Sequence, residues 1–310
     1  MKLTHIKAGS VRIADRGKAY IHIVLCLTLA WAFTIQASAQ DADGKHLLWE
    51  VRSESNTVYL LGSMHMLTED VYPLPSAMEQ AFENSEALVL ELDLDSLETS
   101  SLAGMLLNKA LLPEGTTLRQ VLPKETFDLA KTRLEMKGVQ ISTLDKMQPW
   151  FITVMLWTLE LQDAGLSGEQ GVDMYFHQKA VEEGKEVSGL ESFAFQLNML
   201  TGQTLEEQTT VLHEVLTKGS MEEGGIERLV EAWSTGDIDA LEDYLLSEYE
   251  NNPDAYRLMV TDRNKAWIPK IVDMLEHDID YMVIVGAAHL VGDDGVIALL
   301  RKQGYIVEQL

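Results

Sequence analysis

The run Ala87-Leu88-Val89-Leu90-Glu91-Leu92 has one polar member. Successive side chains of a strand point to opposite sides, so a strand this apolar must be covered on both faces. Such a strand belongs to a sheet flanked by helices. Asp280-Tyr281-Met282-Val283-Ile284-Val285 is a second strand of the same type near the other end of the chain. Before the first, Leu47–Val51 and Thr57–Leu61 flank the polar stretch Ser53-Glu54-Ser55-Asn56 and predict a hairpin. Glu186-Val187-Ser188-Gly189-Leu190 reads as one more strand, ending at Glu191, and Tyr305-Ile306-Val307 as the last to join the sheet. The pattern specifies an α/β fold. Its mixed β-sheet core comes from N- and C-terminal β/α halves, with a helical insertion over about 96–278.

Helix signals fill the gaps. A helix is expected over Pro75–Asn84, with Pro in its first turn. Thr204-Leu205-Glu206-Glu207 fits a capping box and starts a helix that ends near Gly219. Gly138, Gly184 and Gly304 read as helix stops, and the turn Gly292–Gly295 leads into a helix through Arg301. Ser142–Gln162 includes Trp150–Trp157, apolar all round, which predicts a buried helix too short and interrupted to span a membrane. No Gly/Ser- or Pro-rich linker divides residues 40–310, so they are read as a single domain.

The first 39 residues are set apart. Lys2, Lys7, Arg12, Arg16 and Lys18 stand against Asp15, an apolar run follows over Ile21–Ile35, and Ala37-Ser38-Ala39 closes the segment. That order is a secretory signal peptide with cleavage expected after Ala39, which implies a periplasmic or secreted protein. The run is short for a bilayer span of about 20 residues, so no stable membrane insertion is expected after cleavage. The full chain has 24 Lys and Arg against 49 Asp and Glu; losing five bases and one acid shifts the net charge from −25 to −29. Such a surface repels nucleic acid, which is excluded as a partner. The single cysteine, Cys26, lies inside the signal segment, so residues 40–310 offer no disulfide, thiol nucleophile or thiolate ligand.

Several catalytic signatures are absent: Gly-x-Ser-x-Gly, Gly-rich phosphate loops, Gly-x-Gly-x-x-Gly and His-Glu-x-x-His. A repeated pattern remains. Tyr59-Leu60-Leu61-Gly62-Ser63-Met64-His65 matches Val283-Ile284-Val285-Gly286-Ala287-Ala288-His289 in layout. In each, an aliphatic strand stops at Gly and a His follows three residues later. Open α/β sheets place ligands at the carboxyl ends of their strands, and Gly there lets the backbone turn or approach a ligand closely. Each His alone could be a packed, hydrogen-bonded core residue, but the repeat points to one shared site. Glu91 is the natural third member, because a charge ending an apolar strand is costly unless it is paired or bound to a cation. Its alternative is a carboxylate at the solvent edge, like Asp93 and Asp95. Two imidazoles and a carboxylate suit an open divalent-metal site.

These residues carry a resemblance. Leu61–His65, Val89–Asp93, Gly171-Val172-Asp173, Gly189-Leu190-Glu191, Arg263–Trp267 and Val285–Gly292 resemble, in order, the markers of the TraB/GumN family. That family is related to the TIKI proteases and more distantly to erythromycin esterases and the ChaN haem-binding proteins. The match runs along nearly all of residues 40–310; Ser63-Met64 stands where the family more often has Thr-Ile. The resemblance implies an erythromycin-esterase- and ChaN-like α/β fold with a helical insertion, and metal-dependent hydrolysis of a peptide or small-molecule substrate. It implies metal roles for His65, Glu91 and His289, with Mn, Co, Zn or Fe as the ion. Arg263 would stabilise an oxyanion or clamp a substrate carboxylate; the alternative is a surface helix arginine paired with Asp262 or another acid. Glu191 would be a second ligand or general base; the alternative is a cap on the next helix. Two other functional classes stay open: a metal-independent esterase with His as general base, and a non-catalytic haem- or metal-binding or polysaccharide-export accessory protein.

Overall fold

Strand placement follows burial. The computed structural model describes residues 44–93, 99–218, 224–247, 249 and 252–310; the expected signal segment and the expected start of the insertion at 96 lie outside them. The strands are β1 (Leu48–Arg52), β2 (Thr57–Ser63), β3 (Ala87–Leu92), β4 (Glu186–Glu191), β5 (Tyr281–Gly286) and β6 (Val307–Gln309). They form one mixed sheet in the order β4-β3-β5-β2-β1-β6. β4, β3, β5 and β2 run parallel, while β1 is antiparallel to both β2 and β6. The three strands with the longest apolar runs hold the middle, where Leu60, Leu61, Val89, Val283 and Ile284 are buried. Each such side chain contributes about 1.5–3 kcal/mol by leaving water. The parallel arrangement has a functional consequence: four carboxyl ends share one edge.

Helices cover both faces of the sheet. α1 (Ser76–Asn84) buries Met78, Ala81 and Phe82. The helices α2 (Thr99–Ala110), α3 (Lys124–Met136) and α4 (Pro149–Asp163) follow β3, and α5 (Val172–Glu183) precedes β4. Val172, Phe176 and Ala180 of α5 recur every four residues and seal one face. Next come α6 (Phe193–Thr201), α7 (Leu205–Lys218), α8 (Gly225–Thr235), α9 (Ile238–Ser247) and α10 (Asp262–Met274), and α11 (Val296–Lys302) follows β5. The insertion builds its own core, in which Phe127, Ala130 and Leu134 of α3 and Ile152 and Leu156 of α4 meet Leu212 and Leu216 of α7. The capping box forms: Thr204 N and Oγ1 donate to Glu207 Oε2, and Glu207 N donates back to Thr204 Oγ1 at 3.3 Å. All three glycine stops adopt positive φ. Among the described residues no helix is long and apolar enough to cross a membrane.

Two expectations are corrected. The helix expected over Ser142–Gln162 starts at Pro149, after a separate 3-10 turn, and it is not buried all round: Val154 and Trp157 are 39% and 41% exposed. α4 packs on α3 and α7 from one side and buries Trp150 against Ala110 and Leu197, which leaves Val154 and Trp157 facing outward. The last strand begins at Val307 rather than Tyr305. The Tyr305 N–H closes the end of α11 by donating to Leu300 O, which holds it out of the sheet.

Candidate functional site

The two Gly-x-x-His motifs end neighbouring parallel strands, but not in the same register. Gly62 pairs with Val285, and Gly286 pairs with Ser63. This one-residue stagger gives the two glycines different tasks, because side-chain direction alternates along a strand. A Cβ on Gly62 would meet Leu47 Cδ2 at 2.4 Å, so that glycine makes room for the core. A Cβ on Gly286 would instead lie 3.2 Å from Glu91 Oε1, 3.3 Å from His65 Nε2 and 3.7 Å from His289 Cδ2. The three expected metal ligands therefore converge on the bare face of Gly286. The Gly286 N–H donates to Glu91 Oε1 at 2.7 Å. From that oxygen, His65 Nε2 is 4.0 Å away and His289 Nε2 is 3.8 Å. The histidines differ in exposure: the His65 side chain is 59% exposed, and that of His289 only 7%.

Each imidazole is steered from its outer nitrogen. Asn264 Nδ2 donates to the carbonyls of His289 and Asp294, which orients its Oδ1 to accept from His289 Nδ1 at 2.7 Å. His289 Nε2 is thereby left as an acceptor facing inward. On the other side Asp173 Oδ1 accepts from Ser63 Oγ at 2.8 Å and from His65 Nδ1 at 3.1 Å. Gly171 and Val172 make this contact possible. A Cβ on Gly171 would lie 2.4 Å from His65 O, and the Val172 N–H donates to Met64 O. The Gly-Val-Asp motif thus docks the start of α5 against the His65 loop.

Arg263 is not a surface arginine. Asp262 pairs with Arg257 instead, and the Arg263 side chain is 7% exposed. It follows a π-helical turn over Arg257–Thr261, and the α10 spacing sets it beside Trp267, with its guanidinium carbon 4.8 Å from the ring centroid. Its Nη2 donates to Glu91 Oε2 at 2.5 Å and its Nη1 to His289 Nε2 at 2.9 Å. Nε and Nη2 donate to Glu191, which also accepts from Trp267 Nε1 and Gln196 Nε2. Glu191 is therefore a buttress for Arg263. The helix after it is capped by Ser192, whose side chain accepts from Phe195 N, so the capping alternative for Glu191 is set aside.

The donor set fits a divalent ion in kind, with two inward Nε2 atoms, one carboxylate and outer-nitrogen partners of the type that orient metal-bound histidines. Its spacing is wide. Two donors on one tetrahedral ion stand about 3.4 Å apart. Among the described residues no three His, Asp or Glu side chains are close enough, as they stand, to hold a metal ion. Arg263 occupies two of the lone pairs that an ion would take. The cleft over these groups measures about 220 Å³ and is lined by His65, Leu90, Glu91, Asp173 and Gln196, among others.

The charges are strongly biased. Burial alone would raise the pKa of Glu91, but the neighbouring His289, Arg263 and His65 with the Gly286 N–H lower it to about 2. Burial lowers His289 to about 4, and Arg263 and His65 add to this against the pull of Glu91; it is neutral at pH 7. Partial withdrawal from water works against a charged His65. The hydrogen bond and charge of Asp173, then the charge of Glu91, outweigh it and raise His65 to about 9. A raised histidine pKa contributes stability that is complete below about 6.5 and lost as pH rises through about 9. Asp173→Asn removes the main cause, so the His65 ring resonances, followed by NMR, are expected to titrate well below the wild-type midpoint. An unchanged midpoint would mean that Asp173 does not set the His65 charge.

Asp173, Asn264 and Trp267 are site residues that sequence reasoning passed over as bearers of function, although all three sit inside marker motifs. The signal was available for Asp173, an acid directly after a Gly-Val pair at a helix start. The TraB/PrgY/gumN family matches residues 47–309. The chain is 26% identical to the uncharacterized protein YbaP of Escherichia coli over 262 residues, covering 83% of this chain and 94% of that one. It is 26% identical to metalloprotease TIKI2 of Xenopus tropicalis, covering 86% of this chain and 60% of that one. Against metalloprotease TIKI1 of Homo sapiens the identity is 23%, over 87% of this chain and 63% of that one. No solved structure gave a significant match.

Proposed function

The chain belongs to the TraB/PrgY/gumN family, and from that premise we propose that it is an exported, metal-dependent hydrolase of peptide or amide bonds. The observation that carries this reading is the convergence of His65 Nε2, His289 Nε2 and Glu91 Oε1 on Gly286. The names of the TIKI relatives as metalloproteases support it. His65, Glu91 and His289 would hold the ion, His65 giving up to solvent the proton that it carries at neutral pH, with Mn²⁺, Co²⁺, Zn²⁺ or Fe²⁺ suited to nitrogen and oxygen donors. Such an ion polarises a carbonyl and lowers the pKa of bound water.

The chain's own groups have defined tasks. Glu91 stays ionised through the physiological range. His289 stays neutral, with Nε2 free of a proton. Arg263, clamped by Glu191, keeps a guanidinium at the cleft without depending on solvent. When His289 Nε2 is otherwise engaged, Arg263 Nη1 is free to donate to a substrate carbonyl as negative charge develops on it. Cleavage after Ala39 would deliver the protein to the periplasm or medium.

A second reading rests on one observation, that Arg263 Nη1 already occupies His289 Nε2. In it, ester hydrolysis needs no metal and uses the His65–Asp173 pair as base, with activity rising with pH toward about 9 as His65 loses its proton. One experiment separates the two. Protein recovered from the periplasm, with Gln40 expected as its first residue, is incubated with fluorogenic peptides and each of the four ions. Hydrolysis that EDTA abolishes and added ion restores is expected. Activity untouched by EDTA transfers the assignment to the second reading, and no hydrolysis with any ion removes the first.

A further inference from the structure

The guanidinium of Arg263 is fully occupied. Such a group carries five N–H donors, one on Nε and two on each Nη. The Nε–H is shared by Glu191 Oε1 and Oε2 at 2.9 and 3.1 Å. Nη2 donates to Glu91 Oε2 at 2.5 Å and to Glu191 Oε2 at 2.9 Å. Nη1 donates to His289 Nε2 at 2.9 Å and to Met259 O, in the π-helical turn, at 3.3 Å. Every donor meets a protein acceptor, so none is left over for a substrate oxygen. His289 is equally committed. A neutral imidazole accepts at one nitrogen only, and the bond from Nδ1 to Asn264 Oδ1 makes Nε2 that acceptor. The lone pair that receives Arg263 is therefore the one that an ion would need. The other two expected ligands are not in conflict. Among the described residues His65 Nε2 makes no hydrogen bond, and Glu91 Oε1 accepts from the Gly286 N–H while Arg263 takes Oε2.

We infer that Arg263 Nη1 is a latch on the site: it must leave His289 Nε2 before that nitrogen can hold an ion, and only then can it donate to a substrate oxygen. The inference rests on the metal-dependent reading above. Glu191 lets the latch open without losing the arginine. Trp267 Nε1 and Gln196 Nε2 fix that carboxylate, and it holds Nε and Nη2, so the guanidinium tilts about an anchor and gives up a single bond. The closed position also protects the metal-free protein. Glu91 keeps a cationic partner and His289 a hydrogen bond, where an unpaired buried charge would be strongly destabilising. Two consequences follow. The latch lowers the affinity for the ion, because one lone pair cannot serve both partners. It also orders assembly, since the guanidinium donor that a substrate oxygen requires appears only once His289 has exchanged Arg263 for the ion.

Two measurements on metal-free protein at neutral pH test the latch, and neither needs turnover. In the first, free Mn²⁺ is read by electron paramagnetic resonance during titration of wild type, Arg263→Ala and Arg263→Lys, with circular dichroism to check folding. Both variants should bind Mn²⁺ at least about tenfold more tightly than wild type, the equivalent of one hydrogen bond from a charged group. Lysine keeps the positive charge, but its ammonium does not reproduce the planar fork that spans Glu91, Glu191 and His289. If Arg263→Ala binds more tightly while Arg263→Lys matches wild type, charge alone opposes the ion and the latch is overturned. The second measurement uses wild type, so it decides the matter even where a variant fails to fold. The guanidinium resonances of Arg263 are followed by NMR as Zn²⁺ is added. The Nη1 hydrogens should shift and exchange faster with water, while the Nε–H held by Glu191 persists. Saturation with Zn²⁺ that leaves Nη1 unchanged overturns the latch and leaves the hydrolase reading intact. An ion bound by the variants but not by wild type sustains the latch and ends the metal-dependent reading. An ion bound by no folded form of the protein ends both.

Discussion

Alanine in place of His65, Glu91 or His289 is expected to lower peptide hydrolysis on the order of a thousandfold in each case, and any two together should cost little more. The expectation follows from geometry. Both Nε2 atoms lie within 4.0 Å of the same carboxylate oxygen, so removing one member leaves the other two without a common ligand. Metal content by elemental analysis should fall with activity in all three single variants. The two histidines should differ in one respect. His289 is buried among Asn264, Arg263 and Trp267, whereas His65 faces solvent, so His289→Ala should also lower the melting temperature and His65→Ala should change it little. If His289→Ala retains wild-type metal content, or if the double variants lose activity as the product of the singles, the three residues do not act as one site.

Arg263→Ala is expected to destabilise the protein by about 3–5 kcal/mol at pH 7, because it strands Glu91 and Glu191 as buried, unpaired carboxylates. The sign with pH follows from Glu91. Its folded pKa of about 2 lies below the ordinary 4.5, so its charge contributes stability above about 4.5 that is lost as pH falls toward 2. The variant lacks much of that contribution. The gap between wild type and variant should therefore be widest at neutral pH and narrow below 4.5, which urea denaturation at pH 7 and pH 4 measures. Metal content should survive, since Arg263 competes for Glu91 Oε2 and His289 Nε2 rather than supplying a ligand. A variant within about 1 kcal/mol of wild type at pH 7 would mean that solvent enters and rehydrates both carboxylates.

Asp173 and Glu191 show how a site includes groups that act through their neighbours. Neither needs to touch a substrate. Asp173 ties His65 to the start of α5, and Glu191 fixes the Arg263 plane with three hydrogen bonds from the guanidinium. Losses at such positions act through orientation and charge, and in metal sites they cost about 10–100-fold. That is smaller than the effect expected at His65, Glu91 or His289, and the difference in size is itself informative.

The sequence by itself determined the elements and the edge of the sheet that carries the site. Ala87–Leu92 and Tyr281–Val285 are apolar on both faces, which only central strands tolerate, and the Thr204–Glu207 box, the three glycine stops and the Ser53–Asn56 turn are local backbone chemistry. Two strands that each end in Gly-x-x-His also marked where the histidines would meet, because strand polarity is a local property. Tertiary structure alone decided what those histidines are. The one-residue stagger of Ser63 on Gly286 leaves His65 open and His289 buried, though the two motifs read alike. The insertion of Arg263 between Glu91, His289 and Glu191, and the pairing of Asp173 with His65 across 108 positions, depend on side chains that no local pattern connects. Helix α4 makes the same point from the packing side: its apolar residues specify a helix, but only the placement of α3 and α7 determines which of them are covered. Local rules act through backbone dihedrals and the period of burial, within a few residues. The charge of a carboxylate or an imidazole depends on which groups lie within a few ångströms in space, and that is settled only when strands and helices from opposite ends of the chain pack together.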